Sequence, residues 1–196
     1  GPEHPDTATS LNNLAALYQA RGDYAKAEPF FQRALKIQEK VLGPEHPNTA
    51  ISLNNLAALY RALGDYAKAD PLFQRGLKIC EKVLGPEHLD TAQSLNSLAV
   101  LYQAMGDYAK AEPLHQRALK ILEKVLGPEH ADTAQSRGNL AALYQTMGEY
   151  AKAEPLFQRA LKIQEKVLGP EHTDTARSLN NLAVLYRAMG DYAKAE

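Results

Sequence analysis

The chain has 196 residues, 45% of them hydrophobic, and its 22 Lys and Arg against 23 Asp and Glu leave a formal net charge of −1. That balance offers no basic excess to nucleic acid and no polybasic run to an anionic membrane, and no apolar run nears a membrane span. A single cysteine, Cys80, excludes an intramolecular disulfide and suits a reducing, cytoplasmic compartment. There is no secretory signal pattern and no initiator Met, so the chain reads as a piece of a longer protein. Gly1-Pro2 reads either as a protease scar or as a native repeat start like Gly43-Pro44.

A 42-residue unit opens at Gly1 and restarts at Gly43, Gly85, Gly127 and Gly169. This gives four full copies (1–42, 43–84, 85–126, 127–168) and a partial fifth (169–196). A period of this length marks units that stack on their neighbours, so a single solenoid domain over 1–196 is expected. Each unit carries two helical patterns. The first runs from about Asp6 to Arg21, with Asp6 or Thr7 as its cap. Leu11, Leu14, Ala15, Leu17 and Tyr18 form its apolar stripe at spacings of three and four. Gly22 ends it, and Asp23 is placed to cap the second helix. That helix runs from Tyr24 to about Leu42 on a packing face of Ala27, Phe31, Ala34 and Leu35, continued by Ile37, Val41 and Leu42. Gly43-Pro44 stops it. Pro29, Pro71, Pro113 and Pro155 fall inside the second helix, and their recurrence predicts a built-in curve rather than a break.

Leu14-Ala15, Tyr18, Ala27, Phe31 and Ala34 stand at the spacing of the tetratricopeptide repeat (TPR) signature, and the chain resembles that family over its whole length. Its unit exceeds the usual repeat of about 34 residues. With LNNLAALY, AEPLFQRAL and KVLGPEHP it is similar to the repeats of kinesin light chain. The near-identity of the units resembles bacterial multi-repeat arrays, often found beside signalling or NTPase domains. The resemblance implies an all-α fold, a right-handed superhelical solenoid of antiparallel helix pairs. It also implies that the first helices line a concave groove for a partner's peptide, with no catalytic activity and no cofactor.

Differences between the units gather on the first helix. Thr9 gives way to Ile51, Gln93, Gln135 and Arg177, Gln19 to Arg61, Gln103, Gln145 and Arg187, and Ala16 alternates with Val100 and Val184. TPR geometry places this face in the groove; the plainer account is drift on a solvated surface. Asn12-Asn13, Asn54-Asn55 and Asn180-Asn181 recur, with Asn96-Ser97 and Gly138-Asn139 as variants. Asparagine competes for backbone bonds in helices, so a pair at mid-helix needs a reason. Either the amides clamp a peptide backbone, or one of each pair bonds a neighbouring helix, or the two divide these jobs. The candidate contacts are therefore these asparagines with Gln19, Arg61, Gln103, Gln145, Arg177 and Arg187. Between its cap and its end no first helix carries Asp or Glu, whereas Arg61, Arg177 and Arg187 project from the inferred lining. A neutral to acidic ligand is expected. The lysine-rich carboxylate clamp of some family members is not carried over, because the first helices contain no Lys.

Other motifs resolve as structure. His4, His46, His88, His130 and His172 recur a repeat apart, too far to converge on zinc at about 2.0–2.3 Å, so helix capping or packing on the next unit is expected. His115 stands at a Phe position and reads as a core substitution. Cys80, where other units have Gln38, Leu122 and Gln164, lacks a partner His. No Gly-rich phosphate loop or facing carboxylate pair is visible, so neither enzyme activity nor a metal is expected. Arg137 replaces the leucine of Leu11, Leu53, Leu95 and Leu179, and Gly138 follows it. This pair either adds charge and room near the groove or marks a decayed unit held by its neighbours, the second being preferred. The resulting expectation is a non-catalytic scaffold binding a peptide segment. The alternatives are a spacer that self-associates end to end, or the sensor arm of a larger NTPase or protease.

Overall fold

Two apolar helical faces per unit leave surface that only the partner helix and the adjacent unit can bury. The computed structural model describes residues 3–195, so Gly1-Pro2 lies outside the described residues. Helices follow one another as α1 (Pro5–Ala20), α2 (Tyr24–Val41), α3 (Pro47–Ala62), α4 (Tyr66–Val83), α5 (Leu89–Ala104), α6 (Tyr108–Val125), α7 (Ala131–Thr146), α8 (Tyr150–Val167), α9 (Thr173–Met189) and α10 (Tyr192–Ala195). No strand occurs among the described residues. The chain divides into two compact units between Leu101 and Tyr102, inside α5. In the first, α1 packs on α2, α2 on α3 and α3 on α4, with α1 beside α3. In the second, α6 packs on α7, α7 on α8 and α8 on α9, with α7 beside α9.

Close helix approach rests on small residues. Ala8 and Leu11 of α1 pack with Ala34 and Ile37 of α2, and Ala50 and Leu53 of α3 pack with Ile79 and Cys80 of α4. The first helix of each unit ends in a Schellman turn. Gly64, at φ +76°, donates to Arg61 O, and the Asp65 N–H donates to Tyr60 O. Asp65 then caps α4 by accepting the Lys68 N–H, so one residue closes one helix and opens the next. The second helices run through Pro29, Pro71, Pro113 and Pro155 without interruption.

Three expectations are corrected. The first helices are capped by the linker histidines rather than by Asp6 or Thr7. Each Nδ1 of His4, His46, His88, His130 and His172 accepts the N–H two residues on at 3.1–3.2 Å. Proline at the first helical position, Pro5 and Pro47, fits a helix that begins there. The carboxylates Asp6, Asp90, Asp132 and Asp174 consequently lie inside the first turn, so these helices do carry acid. Val41 does not extend the packing face: it is 44% exposed, and Val83, Val125 and Val167 are exposed with it. Leu14 and Leu17 are 37% and 50% exposed, whereas their counterparts Leu56 and Leu59 are 4% and 0% exposed. That part of the stripe is covered by the preceding unit's second helix, as α2 covers α3.

Arg137 finds partners rather than facing a groove. Buried in the leucine slot, it donates to Glu123 Oε1 at 2.6 Å and to Pro128 O at 2.9 Å. In the first unit the corresponding acceptors, Glu39 and Pro44 O, are taken by Arg75 of the second helix at 2.6 and 3.2 Å. Arg159, the counterpart of Arg75, is displaced and pairs with Glu129. The substitution has therefore moved a guanidinium from one helix to the other while keeping its acceptors.

Candidate functional site

Within each compact unit the adjacent first helices present a common face. The two asparagines of each pair occupy it differently, because neighbouring helical positions point about 100° apart. Asn12 is buried and donates from Nδ2 to Ser52 Oγ at 2.9 Å; Asn54 does the same to Ser94 Oγ at 3.0 Å. Asn96 shares this register and also has a partner, whereas Asn180 is exposed. The second members point outward. Asn13 is exposed, and Asn55, Asn139 and Asn181 are half-buried. Among the described residues these four amides have no hydrogen-bond partner within the protein.

The variable position of the first turns, Thr9, Ile51, Gln93, Gln135 and Arg177, is exposed throughout. Arg177 pairs with Asp174 of its own helix at 2.9 Å. Gln19, Arg61, Gln103 and Gln145 are half-buried near the helix ends, and Arg187 is exposed. Gln103 donates to Thr146 Oγ1 at 3.3 Å, while Arg61 and Arg187 make no ion pair among the described residues. In the first unit the face is therefore polarised. Asp6 and Asp90 sit at its N-terminal edge, and Arg61 sits at its C-terminal edge.

Tyrosine hydroxyls lock α3, α7 and α9 each to the second helix before it. Tyr60 donates to Glu28 Oε1 at 2.8 Å, and Gln32 Nε2 donates to both groups. Glu112, Tyr144 and Gln116 repeat the triad, as do Glu154, Tyr186 and Gln158. Burial and the adjacent carboxylate push the Tyr60 and Tyr144 hydroxyls above their ordinary pKa. These groups hold the face in place without lining it.

One feature of the face went unread in the sequence. Between α3 and α5 lies a pocket of about 150 Å³. Pro47 and Ile51 form its wall, Cys80 and Ser94 its floor, and Asn54, Asn55, Asp90 and Gln93 its polar lining. Its signal was the clustering of Ile51, Gly76 and Cys80 in a single unit. The Cys80 thiol is buried, lies 3.5 Å from Ser94 Oγ, and is pushed up in pKa by burial, which disfavours the reactive thiolate.

Among the described residues no group of three or more His, Cys, Asp or Glu could hold a metal ion, and no helix is long and apolar enough to cross a membrane. A tetratricopeptide repeat profile matches residues 6–82, 53–124, 90–166 and 132–196. No curated protein sequence matches the chain. Among solved structures, BtubC (BKLC) from P. vanneervenii is 27% identical with a TM-score of 0.83, over 97% of this chain and 76% of that one. The nearly identical TPR-like repeats of a Podosopora anserina protein assigned as a kinesin light chain are 33% identical with a TM-score of 0.80, over 98% of this chain and 91% of that one. A single-substitution variant of those repeats is 32% identical with a TM-score of 0.81, over the same shares. From the helix pairs, the small-residue contacts and the profile together, this chain belongs to the tetratricopeptide repeat family, in the form found in kinesin light chain-like arrays.

Proposed function

We propose that the chain is a non-catalytic scaffold whose first-helix face holds an extended, neutral to acidic peptide segment of a partner protein. TPR repeats serve in general as interaction scaffolds. The observation that carries the reading is the division within the asparagine pairs. Asn12 and Asn54 are tied into the stack, whereas Asn13, Asn55, Asn139 and Asn181 hold poor helix formers on the open face with their amides unengaged. Within each compact unit a preformed pair of amides, Asn13 with Asn55 or Asn139 with Asn181, binds a peptide backbone with little ordering cost to the protein. Arg61 and Arg187 supply the cations that suit acidic groups at the C-terminal edge.

The test pans a random-peptide library on the parent and on a variant with Asn13, Asn55, Asn139 and Asn181 changed to Ala. Melting should be unchanged, and the peptides enriched on the parent should be lost. Retention of the same peptides refutes the amide clamp, and no enrichment on the parent refutes the groove.

A further inference from the structure

In the second compact unit one tie between first helices is missing. In the first unit Asn12 and Asn54 donate to serines of the following first helix, Ser52 Oγ at 2.9 Å and Ser94 Oγ at 3.0 Å. On α7 and α9 the same two registers hold Gly138 and Ser178, and glycine brings no amide. A Cβ added to Gly138 would meet nothing within 4 Å, so the helices have not closed over the lost side chain. Gly138 is half-buried beside the half-buried Asn139. Arg137 does not fill the space, because its guanidinium is held by Glu123 and Pro128 O.

Ser178 is the group left over. It holds the register in which Ser52 and Ser94 turn their oxygens to the previous first helix. It is only 5% exposed, and among the described residues its hydroxyl has no hydrogen-bond partner. A buried hydroxyl is normally paired, and leaving one unpaired costs its desolvation. The open space at Gly138 and the unpaired oxygen of Ser178 are separate observations at one junction, where α7 lies beside α9.

We propose that this notch takes a carboxamide side chain of the bound peptide, asparagine or glutamine, whose NH2 donates to Ser178 Oγ as Asn12 and Asn54 donate to Ser52 and Ser94. The ligand group is the one the repeat has lost. A neutral amide gives up less hydration than an ammonium or a carboxylate on entering a half-buried site. The acid one turn before Ser178, Asp174, is already paired with Arg177 at 2.9 Å, so it offers an ammonium no free partner. The site rests on the peptide-groove reading and deepens it, since the second compact unit then selects one carboxamide in the bound segment.

Gly138→Asn restores the residue of Asn12 and Asn54 and closes the notch from within. It should raise the melting temperature; a fall would mean that the space does not admit an amide and would overturn the proposal. The probe is propionamide, a carboxamide side chain alone, titrated into 15N-labelled parent, Gly138→Asn and Ser178→Ala beside sodium propionate and 2-butanone. Amide signals of Gly138, Asn139 and Ser178 are expected to shift with propionamide only, and only in the parent. No response in the parent, an equal response in either variant, or one matched by propionate or butanone would leave a notch that holds water only, and the proposal fails. Panning a random-peptide library should yield a parent consensus with asparagine or glutamine at one fixed position. Replacing that residue by leucine should weaken binding to the parent on the order of tenfold and leave binding to Gly138→Asn unchanged. A consensus without a carboxamide overturns the site while the groove stands. If no peptide enriches but propionamide still binds the parent alone, the groove reading fails and the amide notch stands.

Discussion

At position 115 a histidine occupies the slot of Phe31, Phe73 and Phe157 and is wholly buried. Burial lowers its pKa from 6.5 to about 4, so the folded chain holds the ring neutral at neutral pH. The unfolded chain protonates it near pH 6.5. The stability it contributes is therefore complete above that pH and is lost as pH falls towards 4, in total about 3 kcal/mol. His115→Phe should abolish most of the difference between urea midpoints at about pH 7.5 and about pH 4.5. An undiminished difference would assign the acid sensitivity to other groups. Arg137 gives a second test at this scale. Glu123→Ala leaves its guanidinium buried with one acceptor and should cost about 2 kcal/mol. With Arg137→Leu already present, the same change should cost about 0.5 kcal/mol or less, because the charge is gone from the slot. Equal costs in the two backgrounds would show that the pair does not couple. The need for a partner was legible from an arginine at a leucine position. Its identity was not, because it depends on Arg159 having moved aside to Glu129.

Helix limits were legible almost to the residue, since Gly22 and Gly43 at positive φ leave little freedom in where the chain turns. The caps were legible in part: the linker histidines do cap helix ends as their recurrence suggested, whereas Asp6 and Thr7 do not cap the first helix. Asp6 is an ordinary cap residue by type, but the helix opens two residues earlier on His4, whose Nδ1 accepts the Asp6 N–H, and the same cap forms at His130 and His172, where Ala131 and Thr173 rather than proline follow. That shift carries the carboxylates onto the helices and so changes the electrostatics of the face. The asparagine pairs were readable only as a choice, because adjacent residues on one helix cannot be told apart by spacing without the neighbouring helix. Hydrogen bonding now separates Asn12 and Asn54 from Asn13 and Asn55, and the difference is measurable between elements. Asn54→Ala removes the bond from α3 to α5 and should cost about 1 kcal/mol in urea unfolding. Asn55→Ala should change stability by less than about 0.5 kcal/mol. A reversal of that order would mean that the second asparagine carries the stack.

Near-identical units do not imply uniform stability, because a unit's share depends on how many of its faces are covered. Leu56 and Leu59 lie under the preceding second helix, while Leu14 and Leu17 present the same side chains to water. At the other end Leu179 is 47% exposed and Ala176 is exposed, although Leu53 and Ala50 at these positions are sealed at 0%. Area removed from water sets most of the difference, about 25 cal/mol for each Å² of apolar surface. Hydrogen exchange should therefore grade along the chain despite the constant sequence. Amides of α3 should exchange only by the largest openings, those of α1 should exchange earlier, and those of α9 and α10 earliest. Leu56→Ala should cost about 2–5 kcal/mol, whereas Leu14→Ala should cost well under half of that. Uniform protection across α1, α3 and α9 would show that the array opens as one cooperative body, and that local burial does not decide which helix opens first. The gradient has a functional side as well. The α3–α5 junction, where the pocket lies, is built on buried leucines, Leu53 and Leu56 of α3 and Leu95 and Leu98 of α5, each at most 4% exposed, so its lining amides and Asp90 stand on a well-packed part of the first compact unit. A binding face on such elements keeps its geometry, as a preformed site requires.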